Sequence, residues 1–309
     1  MQDMKFRRIF ASVLIATAFG SQAYAQMPEN NYFPFIQQPV KENTKIYYEV
    51  PKTPQKITFA GEEIDLSTTD RHERMDREML AFNYSHQLTI LMLKRTTRIF
   101  PQVEPILKEY GIPDDLKYLM VIESNLVPTI VSPAGAAGLW QMMTATGKQY
   151  GLEVSETVDE RFHIEKATRA ACRYLKEAYE KYGDWMSVCA SYNAGQARIS
   201  NALEKQIAET AMDLWLVEET SRYMYRILAA KLFLENPAEY GFKLEKEDYY
   251  QYIPPKEKVK VTDTINDLAA FARSHGVSYL ALRTANPWLK GFTLLDKSHK
   301  EYTILIPQE

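Results

Sequence analysis

Apolar positions recur with helical spacing through the middle of the chain. Over residues 69–241 apolar side chains return every three or four positions, and no segment alternates strictly between apolar and polar residues. This pattern predicts α-helices at 73–100, 105–110, 165–183, 185–194 and 218–234. Pro101 and Pro105 interrupt the pattern between the first two. We therefore expect one α-helical domain, at residues 69–250, large enough for its own hydrophobic core.

The pattern changes after residue 252. Pro254 and Pro255 mark a boundary, and beyond them the spacing switches between strand and helix. Short elements are expected in the order strand, helix, helix, strand, at 259–261, 265–275, 278–284 and 302–306. The predicted fold class is mainly α: a helical domain followed by a small β-α-α-β module at residues 256–309.

The first 68 residues follow neither pattern. Three basic residues within 5–8 precede an apolar run at 9–19, and a small-x-small sequence stands at 23–25, which is the layout of a secretory signal peptide. The apolar run is shorter than the roughly 20 residues of a membrane-spanning helix. No cysteine stands directly after it, so no lipid attachment is expected. We predict a signal peptide at 1–25, export to the periplasm or cell envelope, and an extended arm or linker at 26–68.

The composition is that of an ordinary globular protein. Of the 309 residues, 46% are hydrophobic and 25% are charged, and the net charge is −3. These values exclude disordered, collagen-like and coiled-coil chains and disfavour a nucleic-acid binder. Cys172 and Cys189 lie in apolar helical contexts, which favour two buried free thiols over a disulfide. The histidines lack metal-ligand spacing, so neither a metal nor another cofactor is expected.

One acidic residue falls on a predominantly apolar helix face. Within residues 113–127, Glu123 shares its face with apolar side chains at Leu116, Leu119, Met120, Leu126 and Val127. Burial there would raise the pKa of the carboxyl group, which suits a general acid near neutral pH. A buried glutamate paired with Lys or Arg gives the same pattern, so the stripe alone leaves both interpretations open.

Four short motifs stand in order along the helical domain. They are Glu-Ser-Asn-Leu at 123–126, a small-residue loop ending in Gly-Leu-Trp-Gln at 132–141, Ser-Tyr-Asn-Ala-Gly at 191–195 and Glu-Thr-Ser-Arg-Tyr at 219–223. Together they resemble the motifs of lytic transglycosylases with a goose-type lysozyme-like fold, the SLT domain. Segments 157–161 and 228–230 fit the membrane-bound lytic murein transglycosylase D subgroup of that family. The resemblance covers residues 75–245.

The resemblance implies that Glu123 is the single catalytic acid/base. It also implies a substrate groove lined by Ser132, Gln141, Met143, Tyr192, Asn193, Glu219 and Tyr223. Within that set, Tyr192 and Asn193 are implied to position the reacting sugar. In the family pattern the position of Leu126 is usually aromatic and that of Ser191 is usually alanine. These two differences bear on the shape of the groove and not on the type of reaction.

The implied activity is cleavage of the β-1,4 bond between MurNAc and GlcNAc in peptidoglycan, with formation of 1,6-anhydroMurNAc ends. Peptidoglycan glycan strands would then be the binding partner. Two alternatives stay open. One is a hydrolytic muramidase, in which Asp159 or Glu160 activates a water molecule. The other is a non-catalytic peptidoglycan-binding protein.

The C-terminal module resembles a LysM domain in three segments, at 261–265, 286–289 and 304–307. LysM domains are small glycan-binding folds, so the resemblance implies peripheral association with the cell wall. Thr262 stands where the family usually has glycine. Glycan binding by the module and a purely structural role therefore both stay open.

Overall fold

The computed structural model describes residues 49–295 and 300–308. The predicted signal peptide and most of the predicted arm lie outside the described residues. In the helical domain the α-helices are α1 (Thr69–Tyr84), α2 (His86–Tyr110), α3 (Lys117–Ser124), α4 (Thr144–Gln149), α5 (Ile164–Tyr182), α6 (Trp185–Ala194), α7 (Gln196–Gln206) and α8 (Glu218–Glu235). The C-terminal module contains α9 (Leu268–Ser274) and α10 (Tyr279–Ala285). The prediction of a mainly α fold is confirmed.

Helix α8 is the central helix of the helical domain. It packs against α1, α3 and α6, while α5 packs against α2 and α6. Most of α8 is buried, including the small pair Ala229 and Ala230, which leaves room for neighbouring helices to approach closely. Cys172 and Cys189 are buried free thiols in the core of this domain, as the sequence favoured.

Helix α3 is shorter than the apolar helix face predicted within residues 113–127. It ends at Ser124, because Asn125 takes a left-handed conformation with φ 50° and its N–H closes the last turn on the Val121 carbonyl at 2.8 Å. Leu126 is also left-handed, with φ 59°. The prediction that the helix face continues through residue 127 is wrong. Glu123 is consequently the last but one residue of its helix.

Helix α2 runs through both prolines that were expected to interrupt it. A proline inside a helix removes one backbone hydrogen bond and crowds the preceding turn. In α2 this cost is offset by a continuous buried face around Pro101 and Pro105, formed by Ile99, Val103, Ile106 and Leu107. The helix ends at Gly111, which is left-handed at φ 69°.

A β-hairpin precedes the first helix, so the prediction of an extended arm is wrong for its last residues. Strands β1 (Lys56–Phe59) and β2 (Glu62–Asp65) pair antiparallel across a two-residue turn with positive φ at both positions. Phe59 and Leu66 are fully buried in the core of the helical domain. Strands of only four residues give too few alternations to stand out in a sequence.

The C-terminal module has the predicted β-α-α-β order. Strands β3 (Glu257–Val261) and β4 (Tyr302–Ile306) pair antiparallel, and α9 and α10 lie between them in sequence. The module has its own apolar core, which includes the fully buried side chains of Leu268 and Leu282. Among the residues that the structure describes, no helix is both long and apolar enough to cross a membrane.

We expect the hairpin to contribute to the stability of the helical domain. Phe59→Ala should lower the free energy of unfolding by about 3–5 kcal/mol, because it deletes a fully buried aromatic ring. Chemical denaturation measures this change. The matched control is Thr58→Ala on the exposed face of the same strand, which should change stability by less than about 0.5 kcal/mol. Equal effects of the two substitutions would contradict a hairpin that is part of the core.

Candidate active site

Glu123 lies where α3 meets α8. The hydroxyl group of Tyr223, on α8, donates a hydrogen bond to Glu123 Oε1 at 2.5 Å. Tyr223 is buried, whereas Glu123 keeps part of its side chain accessible. In the described part of the chain, no Lys, Arg or His side chain lies within 4.0 Å of the Glu123 carboxylate. The buried-ion-pair interpretation that the sequence left open therefore does not apply.

The surroundings of Glu123 raise its pKa to about 7. Burial is the largest cause, because a charged carboxylate loses its hydration there. The hydrogen bond from Tyr223 and the positive charge of Arg226 act in the opposite direction, while the negative charge of Glu219 raises the pKa further. Near neutral pH the group can therefore both give and take a proton.

Tyr192 and Asn193, at the end of α6, lie on the neighbouring side of the site. The hydroxyl group of Tyr192 donates to the backbone carbonyl of Trp140 at 2.6 Å. Burial and the nearby charge of Glu123 raise the pKa of Tyr192, so it stays a neutral phenol. Asn193 Oδ1 accepts a hydrogen bond from Thr220 Oγ1 at 2.9 Å. This bond fixes the side-chain amide and orients its NH₂ group as a donor.

The small-residue loop at 132–141, called the glycine-rich loop from here on, is held in shape by two of the predicted groove residues. Ser132 Oγ accepts from the N–H of Ala136 at 3.1 Å. Gln141 Nε2 donates to the carbonyls of Gly138 at 2.8 Å and Ile130 at 3.2 Å. Both side chains thus use polar groups to fix the backbone of the loop. The loop in turn carries Trp140, whose carbonyl holds Tyr192.

The remaining predicted residues are exposed. Glu219 lies in the first turn of α8, close enough for its charge to act on Glu123. Met143 precedes α4 and is 46% exposed. The structure thus brings Glu123, Tyr223, Tyr192 and Glu219 into one electrostatic neighbourhood.

Sequence reasoning missed Arg226 and gave Thr220 no role. Arg226 lies one helical turn after Tyr223, and Glu219 one turn before it, so the three share a face of α8. This spacing could have identified Arg226 as a neighbour of Glu123. Thr220 is buried and orients Asn193, a contact between two helices that no local pattern reveals.

The two carboxylates considered as activators of water have structural partners. Asp159 accepts two hydrogen bonds from the guanidinium group of Arg161, at 2.8 and 2.9 Å. Glu160 forms ion pairs with Lys166 at 2.5 Å and with Lys300 at 3.2 Å. Burial acts to raise the pKa of Glu160, but the hydrogen bonds from Lys166 and from the N–H of Glu153, together with the charges of Lys166 and Lys300, hold it below its ordinary value. Both carboxylates are thus engaged in holding the fold.

Comparison with known families agrees with this geometry. Residues 104–213 match the family model "Transglycosylase SLT domain", and residues 257–309 match the model "Soluble lytic transglycosylase C-terminal LysM-like domain". The chain carries an SLT domain followed by a LysM-like domain. The resemblance to this domain is therefore confirmed, and three of the four motifs fall within the matched SLT residues. Glu123, the glycine-rich loop and Tyr192 all fall within the matched SLT residues.

Individual relatives carry names of the same kind. Membrane-bound lytic murein transglycosylase D of Escherichia coli is 28% identical over 259 residues, which is 81% of this chain and 55% of the relative. Peptidoglycan transglycosylase gp16 of Escherichia phage T7 is 36% identical over 28% of this chain and 7% of its own. The solved soluble lytic transglycosylase of Escherichia coli overlaps partially, with a TM-score of 0.37 at 22% identity, covering 48% of this chain and 26% of that one. This chain spans about half the length of the transglycosylase D relative.

The raised pKa of Glu123 predicts a pH-dependent effect of Glu123→Gln on stability. Folding holds the carboxyl group protonated, so wild-type stability should fall relative to the variant as pH rises from about 4.5 to about 7. At pH 8 the variant should be more stable by up to about 3 kcal/mol, and at pH 4 the two should be equal. Denaturant unfolding at both pH values measures the difference. Glu180→Gln, at an exposed position of α5, is the control, and an equal response of both variants would contradict a buried acid.

Proposed function

We propose that this protein is a peptidoglycan lytic transglycosylase that cleaves the bond between MurNAc and GlcNAc, with Glu123 as its single general acid/base. The observation that supports this most directly is the partly accessible Glu123 carboxyl group, bound by Tyr223 and by no cation, inside a matched SLT domain. The names of the relatives agree with this reaction class.

In the proposed reaction Glu123 starts protonated and donates its proton to the glycosidic oxygen. The bond between that oxygen and C1 of MurNAc breaks, and GlcNAc leaves with a restored hydroxyl group. The N-acetyl oxygen of MurNAc attacks C1, as in substrate-assisted glycosidases, which need no second carboxylate. Glu123, now anionic, removes the proton of the C6 hydroxyl group. The C6 oxygen then bonds to C1 and displaces the N-acetyl oxygen, which gives the 1,6-anhydro ring without water.

The neighbours of Glu123 have separate roles in this scheme. Tyr223 fixes the carboxyl group through the 2.5 Å hydrogen bond. Asn193 offers its oriented NH₂ group to the reacting sugar, and Tyr192 forms the adjacent wall. Donors arranged before the reaction stabilise developing charge without reorganisation. Exposed Met143 and Glu219 would contact sugar units farther along the strand.

We further propose the limits of the functional parts. The helical domain extends from about residue 55 to residue 250. It starts there because Leu66 donates a backbone hydrogen bond to Gln55, and the hairpin between them joins the core. The LysM-like module occupies 256–309 and associates with peptidoglycan. Residues 1–25 act as a signal peptide that directs the protein to the periplasm.

Mass spectrometry of soluble products from purified sacculi tests the reaction. Wild-type protein should release anhydromuropeptides, and Glu123→Gln should lower their release by at least about 10³-fold, because the amide cannot transfer the proton. The wild-type rate should fall as pH rises through about 7, where Glu123 loses its proton.

Glu180→Gln, on the surface of α5, is the control and should match wild type. Reducing MurNAc ends would contradict the transglycosylase and indicate a hydrolase. Binding to sacculi without any product from folded protein would indicate a non-catalytic binding protein.

A further inference from the structure

The segment that links α4 to α5 takes part in the core of the C-terminal module. Val158 belongs to the helical domain by sequence, yet its side chain is fully buried among apolar residues of the module. An isolated antiparallel bridge joins Val158 to Leu289. The module's core is therefore complete only when this segment is in place.

Backbone hydrogen bonds fix the register of this contact. The N–H of Asp159 donates to the Trp288 carbonyl at 2.8 Å, and the N–H of Lys290 donates to the Thr157 carbonyl at 2.7 Å. The N–H of Leu295 donates to Thr157 Oγ1 at 3.1 Å. A module that only bound glycan, and was joined to the helical domain by a flexible linker, would need no such backbone pairing, because the two domains could then move relative to each other.

Charged side chains close the same interface. Lys300 of the module pairs with Glu153 at 3.1 Å and with Glu160 at 3.2 Å. Tyr302 donates a hydrogen bond to Glu153 at 2.9 Å. Glu160 is only 1% exposed, so loss of the Lys300 cation would leave a buried carboxylate with Lys166 as its cationic partner.

The opposite side of the segment holds the glycine-rich loop. Arg161 Nη1 donates to the carbonyls of Gly135 at 2.8 Å and Met142 at 3.1 Å. Asp159 fixes the guanidinium group from the other side. The backbones touch at Gly138, where an added Cβ would lie 1.9 Å from the Arg161 carbonyl oxygen. The position of residues 159–161 therefore determines the position of the loop.

We infer that the C-terminal module is a positioning element of the active site: by clamping residues 157–161 it fixes the glycine-rich loop that carries the Trp140 carbonyl and thereby orients Tyr192. The contacts run without a gap from Leu289 through Arg161 to the loop. This role requires no glycan on the module. Its kinetic consequence rests on the proposed function, whereas its structural consequence does not.

The test uses the full chain with Val158→Ala and Lys300→Ala combined. The first substitution removes two methyl groups from the shared core, and the second removes the cation. The matched control combines Val261→Ala with Lys260→Ala, the same residue types on strand β3, where Lys260 pairs with Glu301 within the module. The readouts are kcat and KM on a soluble peptidoglycan fragment of two disaccharide units, and amide hydrogen exchange of residues 135–142 without substrate.

We expect kcat of the interface variant to fall about tenfold with little change in KM, since small displacements of positioning groups cost up to about 10²-fold in rate. Exchange of the loop amides should become faster. The control should match wild type in both readouts, and Lys300→Arg in place of Lys300→Ala should restore part of kcat. If the module only captured glycan, the interface variant would instead show a raised KM on sacculi, and the exchange of the loop amides would be unchanged.

The inference is overturned if amides at 157–161 and 288–290 exchange faster while residues 135–142 stay protected and kcat is unchanged. If the interface amides keep their protection in the double variant, Val158→Asp, which places a carboxylate in the module's core, is judged by the same criterion. If wild-type protein releases no product, the proposed reaction fails, and the exchange measurement still decides whether the module holds the loop.

Discussion

The burial of the Glu123 carboxyl group is the constraint on which the rest of the site depends. A charged carboxylate at that place is costly unless it is paired. Among the described residues the fold supplies the phenol of Tyr223 and no cation within ion-pair distance. Burial therefore keeps the proton on the acid near neutral pH, although the hydrogen bond from Tyr223 lowers the pKa of Glu123. This arrangement requires α8 to pack directly on the end of α3, and the extensive burial of α8 provides the rigidity for it.

The glycine-rich loop depends on a second set of contacts. Ser132 and Gln141 bond to the loop's own backbone, so their contribution to a substrate groove is indirect, through the shape that they maintain. Arg161 donates hydrogen bonds to the backbone carbonyls of Gly135, in the loop, and Met142, directly after it. The backbone of the loop is therefore preorganised, which in the proposed reaction costs no reorganisation when substrate binds.

Long periodic segments made much of the fold predictable. Helices α5 and α6 match the sequence closely because clear caps bound them, with Asp184 capping α6 and Gly183 ending α5. The end of α3 was missed because apolar residues continue through Leu126 and Val127. Asn125, which takes the left-handed conformation that ends the helix, is a residue type that favours such ends. The motifs indicated Glu123 and Tyr223 separately, but their hydrogen bond joins residues 100 positions apart, and only packing creates it.

A single acid/base must give a proton and recover one within the same turnover, so its pKa has to lie near the working pH. Burial alone would move the pKa of Glu123 higher. The hydrogen bond from Tyr223 and the charge of Arg226 lower this pKa, and the charge of Glu219 raises it. All three belong to successive turns of α8. Helix α8 therefore supplies both the hydrogen bond that fixes the carboxyl group and the charges that adjust a pKa raised mainly by burial, which suits one carboxylate to both steps of the proposed reaction.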